Sequence, residues 1–243
     1  MKHLIALFII FNLFACQTNS NKKKETKASN EWVSLFNGES FEGWHIYNGG
    51  KPDGSWSIEN QTMKFSPGSK KEGDPGMNLV SDKSFSNFEL SLEWKISEAG
   101  NSGIFWGVIE TPDFPEPFYT GPEIQVLDMG DSKYDPAAEK EKEYYEAGAI
   151  YDLVKPSQQV AKPAGMWNHV VLHIDHNKNH GHVVLNNVKI LEFPVHGEDW
   201  EKMISESKFK DWKKFGMSRE GKIGLQDHGN TVWYRNISIK ELL

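Results

Sequence analysis

Cysteine occurs once in 243 residues, at Cys16. A single thiol closes no intrachain disulfide, so the fold must rest on apolar burial whatever the redox state of its surroundings. Positive charge is in deficit: 27 Lys and Arg face 34 Asp and Glu, for a net charge of −7. A nucleic-acid partner, which needs a concentrated positive field, is thereby excluded. The longest apolar run, Leu4 to Phe14, is too short to span a bilayer. No alternation of strand-like and helix-like segments signals a parallel sheet, and no Asp-rich loop compels a calcium ion.

What is present points to β-structure. The chain is 38% hydrophobic and 25% charged, with 21 Gly and nine Trp, a composition that fits one large soluble domain with many turns. We place that domain at residues 31–243. Residues 1–15 read as a lipoprotein signal peptide: Lys2 supplies a positive start, an apolar stretch follows, and Leu13-Phe14-Ala15-Cys16 is similar to a bacterial lipobox. That similarity implies cleavage before Cys16 and lipidation of its thiol. Residues 16–30 are polar and Lys-rich and read as a flexible tether. The expected location is the cell envelope, with membrane contact through the lipid anchor only.

Phe88 to Ile96 alternates cleanly, with Phe88, Leu90, Leu92, Trp94 and Ile96 on one face and Glu89, Ser91, Glu93 and Lys95 on the other. The turn Gly100-Asn101-Ser102-Gly103 is expected to return Ile104 to Val108 as its antiparallel partner, with Gly103, Phe105 and Gly107 on one face. Those glycines leave room for a ligand or for another backbone. Asn60-Gln61 and Asn186-Asn187 read as hairpin turns. Glu198 to Ser207 carries Trp200, Met203 and Ile204 at helical spacing and predicts one short surface helix. A last hairpin is expected around His228 to Thr231, with Gln226 and His228 on one face and Arg235 sharing a face with Ile237 and Ile239. His173, His176, His180 and His182 have no fixed ligand spacing and no Cys among them, so no metal site is assigned.

The stretch with the most chemistry is Gly121 to Asp128. Period-two alternation puts Glu123, Gln125 and Leu127 on one face and Asp128 on the other. A bulge would bring Asp128 round beside Glu123 as a carboxylate pair suited to glycosidic chemistry, whereas a regular strand leaves it buried as structure.

Ser34-Leu35-Phe36-Asn37-Gly38 with Gly43-Trp44, Gly100-Asn101-Ser102-Gly103-Ile104, Gly121 to Asp128, Gly148-Ala149-Ile150-Tyr151, Trp167-Asn168 and Gly224-Leu225-Gln226-Asp227-His228-Gly229 with Arg235-Asn236-Ile237 resemble, in order, the 3-keto-disaccharide hydrolase domain family. The resemblance implies an all-β concanavalin-like sandwich or jelly roll that binds a carbohydrate, and cleavage of glycosides already oxidised to a ketone at C3. A C3 carbonyl acidifies the C2 proton, so a base can form an enolate and expel the C1 oxygen, with water adding afterwards. On this reading Glu123 is base or acid, His228 a proton shuttle or enolate donor, and Arg235 or Lys95 the fixed positive charge. Asp128 completes the catalytic candidates; Gln125, Asn101, Gln226, Glu93, Lys95 and Trp106 are the substrate-contacting ones. No cofactor is expected, although folds of this kind accept structural Ca²⁺. Phe105-Trp106-Gly107 departs from the Phe-Phe-Arg of many relatives, and Asn186-Asn187 from their Asn-Gly. Two other readings are a carbohydrate-binding lipoprotein without catalysis and a conventional glucanase. Against the latter, Gln125 stands where glucanases of similar fold carry the middle carboxylate.

Overall fold

The computed structural model describes residues 31–52, 54–68, 76–130 and 141–243; the expected signal peptide, Cys16 and the tether lie outside them. Thirteen strands follow in chain order: β1 Val33–Ser34, β2 Trp44–Ile46, β3 Trp56–Glu59, β4 Thr62–Phe65, β5 Leu79–Phe85, β6 Phe88–Ile96, β7 Asn101–Val108, β8 Glu123–Leu127, β9 Asn168–Asp175, β10 His180–Leu185, β11 Val188–Phe193, β12 Gly221–Leu225 and β13 Val232–Glu241. The single α-helix among the described residues, α1, spans Glu198–Ser205 and buries Trp200 and Ile204, as its apolar spacing predicts.

The strands form two antiparallel sheets. One runs β11-β10-β9-β6-β13-β4-β3 with β1 added along β13; the other is five-stranded, β2-β5-β12-β7-β8. The molecule is thus the all-β sandwich expected, with one short surface helix. Phe88, Leu90, Leu92, Trp94 and Ile96 on β6 are at most 2% exposed and meet Ile104, Ile124, Val126, Ile223 and Leu225 of the facing sheet. Burying each such side chain contributes about 1.5–3 kcal/mol, enough to make disulfides dispensable. Positive φ at Asn60 and Gln61, and at Asn186 and Asn187, closes the two expected hairpins.

Two expected hairpins are arches instead. β6 pairs with β9 and β13, whereas β7 crosses to the other sheet and pairs with β8 and β12. Likewise β12 lies in the five-stranded sheet and β13 in the larger one. Alternation reports which face a side chain takes but not which strand lies beside it; partner choice is settled by non-local packing. β13 also carries a bulge, a register shift between Arg235 and Ser238 with Asn236 at φ 51°. The extra residue turns Arg235 and Asn236 outward while Ile237 stays fully buried, so Arg235 does not share a face with Ile237.

Candidate functional site

β7 and β8 present Asn101, Gly103 and Phe105, and Glu123 and Gln125, on the outward face of the five-stranded sheet. Gly103 lies opposite Gln125 in register, and a Cβ on Gly103 would stand 2.1 Å from Glu123 Oε1. The glycine is therefore the space in which the Glu123 carboxyl lies. Gly107 serves the other purpose expected of these glycines: a Cβ on Gly221 would meet its backbone at 2.3 Å, so two main chains touch there.

Gln226 and His228 follow β12. The Gln226 N–H donates to Gly103 O at 2.9 Å, and Asp227 holds the turn by accepting from the backbone N–H of Met77 at 3.0 Å and of Gly229 at 2.9 Å. On the far edge of β8, the Tyr151 N–H donates to Glu123 O at 3.0 Å. Beside it Asp152 sits in the left-handed region at φ 60° and is buried. Its carboxylate accepts the Tyr145 hydroxyl at 2.5 Å and the Lys208 backbone N–H at 2.7 Å. A strained, buried, doubly bonded residue thus pins the start of the segment after α1, whose aromatic side chains wall the site. Trp212 stacks on Tyr119 with ring centroids 4.7 Å apart and meets Phe209 at 5.1 Å and Phe118 at 6.1 Å.

These groups enclose a cavity of about 210 Å³ with Glu123, Gln125, Asn101, Gln226, His228 and Lys208 as its polar lining and Phe118, Tyr151, Phe209 and Trp212 as its walls. Burial pushes the Glu123 carboxyl up to about 8, against the opposing pull of the Lys208 charge and a hydrogen bond from Gln226. Burial drives Lys208 the other way, below the usual lysine range, while Glu123 and Asp152 favour its charged form. The result is a carboxyl mostly protonated at neutral pH, and exchanging its proton near pH 8, beside an ammonium. Gln125 Nε2 donates to Asn101 Oδ1 at 2.8 Å, and Asn101 Nδ2 lies 3.4 Å from His228 Nε2. Gln125 Oε1 and Gln226 Oε1 are buried without a hydrogen-bond partner among the described residues. They are acceptors that a ligand rich in hydroxyls can satisfy.

Five of the expected site residues, Glu123, Gln125, Asn101, Gln226 and His228, come together here. The others do not. β8 is regular, so Asp128 turns away from Glu123; buried, it accepts the backbone N–H of Ala99 at 2.9 Å, Gly130 at 3.1 Å and Ala164 at 3.3 Å. Trp106, on the opposite face of β7 from Phe105, packs in the core 6.0 Å from Phe193. Glu93, Lys95 and Arg235 lie on the outward face of the larger sheet, because both connections that were to bring them to Asn101 and His228 are arches. There Arg235 Nε donates to Glu93 Oε2 at 2.9 Å. Lys208, Tyr151, Phe209 and Trp212 were not assigned to the site; Tyr151 closes the block Gly148 to Tyr151 noted above, and the trace of the other three is the cluster Lys208-Phe209-Lys210-Asp211-Trp212 just past the helix. Among the described residues no group of three His, Cys, Asp or Glu side chains is arranged to hold a metal ion. His173 stacks on His182 at 4.5 Å, and the His173 ring also approaches Glu89 at 3.3 Å.

Residues 31–240 match the model of the 3-keto-alpha-glucoside-1,2-lyase-like domain. A 3-keto-disaccharide hydrolase of Bacteroides thetaiotaomicron is 35% identical over 233 residues, covering 87% of this chain and 78% of that protein. A crystal structure from Parabacteroides distasonis, named provisionally as a glycosyl hydrolase, superimposes with a TM-score of 0.79 at 30% identity over 88% of this chain and 95% of the other. A second from the same organism, named likewise, gives 0.64 at 27% identity over 88% and 100%. A carbohydrate binding module of Bacillus subtilis, 12% identical with a TM-score of 0.50 over 82% of this chain and 96% of its own, shares the fold alone.

Proposed function

The chain belongs to the 3-keto-alpha-glucoside-1,2-lyase-like domain family and is a glycoside-cleaving hydrolase, and from that premise and the geometry of its pocket we propose that it acts on glycosides carrying a ketone at C3. The observation that carries this reading is the pairing at the pocket floor. Among the described lining residues Glu123 is the single carboxyl, and its companion is an ammonium, Lys208, in place of a second carboxylate. Direct displacement at C1 by the usual route calls for two carboxyl groups flanking the bond. Elimination calls for one base and one cation, which is what this pocket holds.

In the proposed sequence the Glu123 carboxylate takes the C2 proton and becomes the neutral acid. The electron pair moves into the C2–C3 bond and the ketone oxygen becomes an enolate, which Lys208 stabilises. The enolate collapses to re-form the ketone, a C1–C2 double bond appears, and the C1–O1 bond breaks. His228 gives the leaving oxygen its proton. Water then adds across C1 and C2: His228 takes a proton from the water as its hydroxyl bonds to C1, and Glu123, whose acid proton has exchanged with solvent, delivers a proton to C2, which releases the 3-keto sugar and restores both groups. Gln125 and Gln226 accept from hydroxyls of the ring, and Trp212 and Phe209 cover its apolar face. The fixed positive charge is thus assigned to Lys208 and not to Arg235 or Lys95.

Following a defined 3-keto-disaccharide by NMR in deuterated water tests the route. Solvent deuterium at C2 of the product is expected; cleavage with the C2 proton fully retained would overturn elimination. Saturable binding with no turnover would instead reveal a binding module, and turnover of unoxidised glucan a conventional glycosidase. We further propose that Cys16 carries a lipid that tethers the domain to the cell envelope. Fractionation of the Cys16→Ala variant should then find the protein released from membranes, and unchanged membrane association would refute the anchor.

A further inference from the structure

The outward face of the larger sheet carries a second constellation, remote from the Glu123 pocket on the far side of the sandwich. Register places Lys64 of β4 opposite Trp233 of β13, and Trp233 opposite Lys95 of β6. Trp167, immediately before β9, continues the row, since Trp94 pairs with Asn168. Cations and indoles therefore alternate across the strands: Lys64 Nζ is 5.8 Å from the Trp233 ring, and Lys95 Nζ is 4.4 Å from Trp233 and 5.1 Å from Trp167. One row further along β13, the Arg235 guanidinium lies 4.0 Å over Trp167.

The charges in this row are compensated unequally. Lys64 pairs with Glu59 at 3.0 Å. Arg235 turns its Nε and Nη2 to Glu93, at 2.9 and 3.4 Å, and its other edge has no partner among the described residues. Lys95 makes no ion pair or hydrogen bond within the described residues, although it sits between two indole faces beside a groove of about 320 Å³. Trp167 and Trp233 are partly exposed at the groove, and their indole Nε1–H groups have no acceptor among the described residues. A cation held over aromatic faces retains outward donors, and two flat apolar rings with polar edges suit the face of a pyranose.

We propose that this groove is a second, non-catalytic saccharide site that takes a sugar bearing a carboxylate or a sulfate. The anionic group sits between the Lys95 ammonium and the free edge of Arg235, the ring lies against Trp233 and Trp167, and ring hydroxyls accept from their Nε1–H groups. In a chain of net charge −7, such a local site discriminates acidic from neutral sugars by charge pairing within it and not by the protein's overall field. The inference stands apart from the proposed 3-keto chemistry, because the two faces share no side chain.

Titration calorimetry of the full chain with tetragalacturonate, a sulfated galactan tetrasaccharide and neutral cellotetraose tests it. At least one acidic probe should bind with a dissociation constant below a millimolar, weaken as salt is raised and perturb tryptophan fluorescence, while cellotetraose binds at least tenfold more weakly. Which acidic probe binds distinguishes carboxylate from sulfate. Lys95→Gln, which keeps the stem and drops the charge, should weaken the acidic probe tenfold or more at an unchanged thermal midpoint, and Glu123→Gln should leave that binding as it was. Absence of binding by both acidic probes, equal binding of cellotetraose, or an undiminished affinity in Lys95→Gln overturns the proposal.

Discussion

Glu123 and Glu93 stand on the two outward faces of one sandwich, each placed there by strand alternation, and their carboxyls are driven in opposite directions. Burial raises both. At Glu93, hydrogen bonds and charge from Arg235 with a further bond from Asn236 overcome burial and hold the group below the usual carboxylate range. At Glu123, the charge of Lys208 and one bond from Gln226 fall short, and the group rises to about 8. A guanidinium fork donates along the lone pairs of a carboxylate; an ammonium that is itself desolvated repays less. The Glu93 carboxylate is thus charge-compensated in the folded state, whereas the Glu123 carboxyl keeps a proton within reach of exchange, which is what separates a structural carboxylate from a reactive one.

The comparison breaks most visibly at Glu123. Glu123→Gln should lower turnover of a 3-keto-disaccharide by about 10³-fold or more, the upper range for loss of a general base, and near-wild-type rates would remove Glu123 from the chemistry. The same variant should be the more heat-stable protein at pH 9. Glu123 has a folded pKa above its unfolded one, so its contribution to stability is fully present below about pH 4.5 and is lost as pH rises through about 8. Melting curves at pH 5 and pH 9 should show the difference between variant and wild type opening only at the higher value. Activity that depends on the Glu123 carboxylate should rise with pH through the same region.

Lys208→Met should cost on the order of 10²-fold in kcat, the size of losing one stabiliser of a developing oxyanion. Because the Lys208 charge pulls the Glu123 pKa down, the rising limb of the pH–rate profile should move to higher pH in this variant; a profile that stays in place would show that the two groups are not coupled. Asp152→Asn weakens the hold on the Lys208 segment and removes a charge that favours the Lys208 ammonium, while changing no side chain that lines the pocket. Its smaller loss, about tenfold, should appear in kcat more than in KM, and equal losses in both would argue for general loosening of the wall.

The mildest effect belongs to Glu93. Glu93→Gln should lower the free energy of unfolding by about 0.5–1 kcal/mol in denaturant titrations near neutral pH, the upper range for a solvent-screened ion pair. Here the folded pKa is depressed, so the Glu93 contribution is present above the unfolded carboxylate pKa and is lost as pH falls through the folded one. The gap between variant and wild type should therefore close under acid conditions, and a gap that persists there would mean that packing and not charge is at stake.

Much of the strand inventory was legible from alternation and turn residues. Phe88 to Ile96, the hairpins at Asn60-Gln61 and Asn186-Asn187, and the helix bearing Trp200 all lie where the residues placed them. So does the outward pairing of Glu123 with Gln125, and the regular strand that turns Asp128 to structure was one of the two outcomes left open. Three of the misplaced residues share a cause. Gly100 to Gly103 and His228 to Thr231 look like hairpin turns, yet Asn101 to Gly103 lie in β7 and the connections at residues 97–100 and 226–231 carry the chain from one sheet to the other, which moved Glu93, Lys95 and Arg235 out of the site. The bulge considered at Asp128 occurs instead at Asn236.

The amino-acid sequence by itself determined which residues alternate, where the chain turns and which side chains of the Glu123 strand share a face, because these follow from backbone geometry within a few residues. Only the tertiary structure decided whether a turn joins neighbours or arches between sheets, and hence which charges meet. It also brought Lys208 from a loop more than eighty residues along the chain to the side of Glu123. Partner choice across such distances depends on which faces bury together, and no local pattern records it.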